Sequence, residues 1–97
     1  MDVQRITEME AILRACTDAT ADLSTQLDRM DALGESMTRL FAYYGSADWY
    51  ADREGELPPD VPAGVLSEDA VYDQIAAVRD ASFRMLTLAT DILKNRI

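Results

Sequence analysis

Eight carboxylates lie between Asp48 and Asp73: Asp48, Asp52, Glu54, Glu56, Asp60, Glu68, Asp69 and Asp73, with Arg53 the only base among them. Seven of the nine net negative charges of the chain therefore sit in 26 residues. Clustered carboxylates can supply the oxygen ligands that Ca²⁺ and Mg²⁺ require, or they can receive a cationic surface. An EF-hand loop begun at Asp52 fails, because Leu57 stands at the sixth position, where glycine is needed, and Ala63 at the twelfth, where glutamate is needed. A divalent-metal-binding protein or enzyme built on Asp52, Glu54, Glu56 and Glu68 would need those side chains to converge on one cavity. The plainer reading is a solvated acidic loop whose acids also favour a helix start.

Aromatic residues crowd the same region. Phe41, Tyr43, Tyr44, Trp49 and Tyr50, five of the seven in the chain, fall within ten residues. Trp and Tyr combine a large apolar body with a polar tip, which suits them to anchor a partner. Trp49, Tyr50, Asp52, Glu54, Glu56, Glu68 and Asp69 are thus the candidate contact residues for a protein partner of basic character. Other chemistry is scarce. The chain has one cysteine, Cys16, and no histidine, so it offers no internal disulfide, no Cys/His zinc site and no imidazole acid–base group. Cys16 has no base on its own helix face to activate it as a nucleophile. No catalytic residue, cofactor site or metal site is assigned, and the chain reads as a non-enzyme.

The elements that must position this region are helical. From Ile6, the positions Met9, Leu13, Cys16, Thr20, Leu23, Leu27, Met30, Gly34, Met37, Phe41 and Tyr44 alternate in steps of three and four, a heptad seam. A flanking row, Ile12, Ala19, Gln26, Leu33 and Leu40, widens the stripe beyond a two-helix seam. The seam residues, including Cys16 and the methionines Met9, Met30 and Met37, are expected in the core, as is Met85 later in the chain. Gly34 follows Leu33 where a C-terminal glycine would stop the first helix; the rhythm keeps its phase across Gly34, so the alternative is one bent helix from Asp2 to Tyr50. Three glycines (Gly45, Gly55, Gly64) and all three prolines (Pro58, Pro59, Pro62) fall between residues 45 and 64, which makes this stretch the main connection. The last helix is expected to be capped by Ser67, with Glu68 and Asp69 in its first turn and Lys94 and Arg96 in its last. Val71, Ile75, Val78, Met85, Ala89 and Ile92 form its apolar face, with Ser82 filling the gap and Tyr72, Leu86 and Leu93 widening it.

These patterns predict an all-α fold, an elongated antiparallel helical bundle with helices near 2–33, 36–50 and 67–96. At 97 residues the chain has room for one domain, covering 1–97, and buries roughly 60–65% of its unfolded surface on folding. Its 48% hydrophobic and 28% charged residues fit a globular protein. The net charge of −9 disfavours direct binding to nucleic acid or to an anionic membrane surface. An acidic decoy that imitates phosphate charge would need acids along a whole helix face, which clustering around one loop fits poorly. Without a basic, apolar leader or an 18-residue apolar run, the expected location is the cytoplasm. Wide apolar stripes on so short a chain also predict a homodimer.

The tract YYGSADWYADREGELPPDVPAGVLSEDAVYDQI, Tyr43 to Ile75, together with RITEME, Arg5 to Glu10, resembles a small family of uncharacterised bacterial proteins described only as a domain of unknown function. The resemblance extends over essentially the whole chain. It rests on the Tyr43–Ser46 turn, Trp49, the acidic tract ending in Leu57 and Pro58, and the Gly64–Asp69 stretch. Pro62 and Ala63 depart from the family's leucine and basic residue, which leaves this loop more acidic than its relatives. The resemblance implies the helical fold and no activity. A second comparison, with helical hairpins that carry a Trp-x-Gly turn, fails because Trp49 is followed by Tyr50 and Ala51. The role predicted is a non-catalytic protein–protein interaction module that uses the acidic, aromatic loop.

Overall fold

The computed structural model describes all 97 residues, Met1–Ile97. The chain is all-α, with four α-helices and no strand: α1 Val3–Ala32, α2 Gly34–Tyr43, α3 Ala47–Glu54 and α4 Ala70–Asp91. A 3₁₀ turn, Gly64–Leu66, precedes α4, and a π-helical turn, Ile92–Arg96, follows it. No helix is long and apolar enough to cross a membrane. The chain divides into two compact units, Met1–Met37 and Thr38–Ile97.

The first unit is dominated by α1. Asp2 caps it, its carboxylate accepting the Arg5 N–H at 3.0 Å. Thr7, Thr17 and Thr25 turn their hydroxyls back onto carbonyls four residues earlier, so these polar groups sit in the helix without competing for its ladder. The heptad seam does not lie in a core here, contrary to expectation. Ile6, Met9, Leu13, Leu23, Leu27 and Met30 are 38–60% exposed, and Cys16 is exposed as well. A single helix has only its own surface to offer within its unit, so none of its residues is buried.

The expected break near Gly34 is present but has a different cause. Leu33 is the one residue between α1 and α2, and its N–H is shared between the carbonyls of Arg29 and Met30, each at 3.2 Å. The Met37 N–H then donates to the Leu33 carbonyl at 2.8 Å, carrying the ladder across the interruption. Gly34 does not adopt the left-handed conformation of a helix-stopping glycine. The glycine that does is Gly45, at φ 77°.

Gly45 changes the second unit. A helix expected to run from 36 to 50 is cut in two at Tyr44-Gly45-Ser46. Tyr44 donates its N–H to the Leu40 carbonyl at 3.2 Å, Ser46 donates its own to the Tyr43 carbonyl at 3.0 Å, and Gly45 reverses the chain between them. Ser46 then opens α3, its Oγ accepting the Trp49 N–H at 3.2 Å. Beyond α3 the connection runs through a Pro58–Val61 turn into the 3₁₀ turn. Ser67 accepts the Ala70 N–H at 3.1 Å and donates to the Gly64 carbonyl at 2.9 Å, but the cap position of α4 is Asp69, whose side chain makes no capping hydrogen bond, and Glu68 and Asp69 precede the first turn, where the acid is Asp73. α4 nevertheless begins at Ala70 rather than 67, because residues 67–69 form a bend under that double hydrogen bond.

Only Trp49 and Val71 are buried, at 3% and 4% exposure. Ile75 and Val78 continue the α4 stripe half-buried, but Met85, expected in the core, is exposed. Two glycine substitutions separate these backbone roles. A Cβ at Gly34 would meet nothing within 4 Å, so Gly34→Ala is expected to raise stability by up to about 1 kcal/mol in a urea melt. Gly45→Ala, which forces alanine into a left-handed conformation, is expected to lower it by about 1–2 kcal/mol.

Candidate functional site

The site grows from Trp49, which lies wholly within the second unit. Its indole N–H donates to the Val65 carbonyl at 2.9 Å, tying α3 to the 3₁₀ turn 16 residues later. Tyr44 meets its ring edge-on, with centroids 5.0 Å apart, and Tyr50 does the same at 4.9 Å. Such pairs add about 0.5–1.5 kcal/mol beyond the area they bury. The Arg53 guanidinium lies 4.6 Å from the Trp49 ring centroid, and its Nη2 is 3.7 Å from a Glu68 oxygen. Glu68 is largely exposed, so this ion pair contributes little, and the ring contact is what holds Arg53 in place. The Tyr44 hydroxyl donates to the Glu68 carbonyl at 2.6 Å, bringing the end of α2 to the start of α4.

Two open grooves flank α3. One, of about 450 Å³, runs past Tyr44, Trp49, Tyr50 and Arg53 to Glu68, Asp69 and Tyr72. Tyr50 and Tyr72 are 57% and 63% exposed, so this groove presents two ring surfaces beside carboxylates. The other, of about 350 Å³, includes Tyr43, Asp52, Glu56, Leu57 and Leu66. Here the Tyr43 hydroxyl donates to Asp52 Oδ2 at 2.5 Å. That hydrogen bond, with lesser contributions from desolvation and the nearby Asp52 and Asp48 charges, pushes the Tyr43 hydroxyl up to about 12.

The seven candidate contact residues are thus not one patch. Tyr50, Glu68 and Asp69 share the first groove, Asp52 and Glu56 line the second, and Glu54 lines neither. Trp49 is an internal anchor rather than a contact residue, since its ring is enclosed by two tyrosines and an arginine. Nor do the carboxylates converge. No group of three or more acidic or cysteine side chains could hold a metal ion. As site residues, Tyr72, Arg53 and the Tyr43–Asp52 pair are absent from the sequence-based candidates. Arg53 had a signal, being the one base among eight acids; Tyr72 reads as part of the apolar face of the last helix, and the Tyr43–Asp52 pair meets only after the chain turns at Gly45.

The Tyr43 pair gives a pH signature. A hydroxyl whose pKa is raised on folding contributes stability below the unfolded value of about 10 and loses that contribution as the pH rises through about 12. Phenolate absorbance of the folded protein is expected to show one late-titrating tyrosine, and Tyr43→Phe should remove that step. Four tyrosines titrating together would contradict the hydrogen bond.

None of the curated proteins compared with the chain matches it. A family described as "Domain of unknown function (DUF4298)" matches residues 6–88, a span that includes the seam of α1, the Trp49 cluster and most of α4. The chain belongs to this family of unknown function.

Proposed function

We propose that the protein is a non-catalytic interaction module that receives a basic segment of a partner protein in the groove between α3 and the start of α4. The observation that carries this reading is the pairing of exposed Tyr50 and Tyr72 with Glu68 and Asp69 around one open groove. Aromatic faces attract a lysine or arginine head group by about 0.5–1 kcal/mol at exposed sites, and carboxylates beside them add charge attraction. Arg53 on the Trp49 ring illustrates the contact that an incoming cation would make with the two tyrosines. The surrounding acids steer a positively charged partner inward, and they repel phosphate and anionic lipid. Catalysis finds no support in the groove: its titratable carboxylates are exposed and it has no histidine or cysteine.

The test positions are Tyr50 and Tyr72. Trp49→Ala would remove a buried aromatic at a cost of about 3–5 kcal/mol and confound binding with unfolding. In affinity capture from the native cell, the wild-type protein is expected to retain a basic partner that Tyr50→Ala/Tyr72→Ala loses and that elutes in about 1 M salt, where screening shortens to about 3 Å. Recovery of the same proteins by wild type and variant, with no salt dependence, would rule out the groove.

A further inference from the structure

We infer that Arg53 is an internal occupant of the groove, filling the place between the Trp49 ring and Glu68 that an arginine of the partner takes, so that binding exchanges one guanidinium for another. The inference rests on the reading of this groove as a receptor for a basic segment. Arg53, its contacts and the groove all lie within the second unit. The guanidinium carbon stands over the Trp49 ring, 4.6 Å from its centroid, and Nη2 is 3.7 Å from a Glu68 oxygen. A ring face beside a carboxylate is what the groove offers a partner, and here the chain's own cation holds it.

Two features make Arg53 replaceable. Its ion pair is long, and the two side chains are 34% and 78% exposed, so water screens the attraction. Charge works in the same direction. The Tyr50 ring meets Trp49 edge-on at 4.9 Å, so a cation settling on Tyr50 comes close to Arg53 and is repelled while that side chain stays. Once Arg53 turns into solvent, Glu68 and Asp69 face the groove without a base of their own.

The exchange selects guanidinium over ammonium. Trp49 is only 3% exposed and Arg53 supplies part of its cover, so a departing Arg53 uncovers apolar ring surface. An incoming planar guanidinium can lie on that ring and pair with Glu68 in the same way, restoring both contacts. An ammonium is compact and strongly hydrated, and it leaves more of the ring wet. The partner's basic segment is therefore one that presents arginine.

Titration of the full chain with hexa-arginine, and with hexa-lysine in parallel, tests the exchange. The Trp49 ring current is expected to hold the Arg53 side-chain protons upfield of those of the other arginines in an NMR spectrum, and hexa-arginine should return them to the position of a solvated side chain. Hexa-lysine should bind about two- to fivefold more weakly. Arg53→Gln should tighten hexa-arginine binding about three- to tenfold, the strength of the two contacts released. Arg84→Gln removes an equal charge about 18 Å along α4 from Tyr72, beyond the screening length of roughly 8 Å at physiological salt, and should change the affinity less than about twofold. Arg53 protons that stay upfield at saturation overturn the exchange, as does equal affinity for the two peptides. So does an Arg53→Gln variant of unchanged circular dichroism that binds no more tightly than wild type. If Tyr50→Ala/Tyr72→Ala still abolishes binding in those cases, the groove itself stands. No binding of either peptide to the wild type overturns the groove and the exchange together.

Discussion

The second unit depends on one hydrogen-bonded ring. The Trp49 indole is removed from water on the condition that its N–H finds an acceptor, and the Val65 carbonyl provides it at 2.9 Å. That bond spans the proline-bearing connection and converts a segment with no regular structure into a defined closure between α3 and the 3₁₀ turn. Tyr44, Tyr50 and Arg53 then arrange themselves around the ring, and Glu68 reaches Arg53 from the far side of the connection. The acids and aromatics that appear together in the sequence are organised by this closure, and it assigns them to two grooves.

The same closure explains why the aromatic cluster is only partly a surface. Of the three rings centred on Trp49, one is enclosed, Tyr44 is half-buried with its hydroxyl committed to the Glu68 carbonyl, and Tyr50 remains open. Tyr72, in the first turn of α4, lines the same groove as Tyr50. A binding surface made of two exposed rings and flanking carboxylates follows from a core of two residues, Trp49 and Val71. So small a core leaves apolar side chains exposed on α4 beyond Val78.

Much of the fold was legible in residue order. The heptad rhythm from Ile6 and the density of proline and glycine between 45 and 64 rest on local chemistry and appear as a helix and a connection, whereas the cap of α4 falls at Asp69 rather than Ser67. The break at Gly45 is hidden because periodicity carries no information about the sign of φ, although the seam itself ends at Tyr44. The Tyr43–Asp52 bond was hidden for the same reason, since two residues nine apart meet only after that turn. Burial was misread along α1 and at Met85, where apolar spacing identifies a face suited to burial without specifying whether the same chain provides the cover.

Helical class, the place of the connection and the concentration of negative charge all follow from residue order, because each rests on propensity, the proline ring or composition within a few residues of one another. Tertiary structure alone decided that Trp49 is an anchor while Tyr50 and Tyr72 are exposed, and that the carboxylates divide between two grooves instead of meeting. Those outcomes depend on which distant carbonyl accepts the indole N–H and on the direction the backbone takes at Gly45, quantities set by packing across the connection rather than by any neighbouring residue.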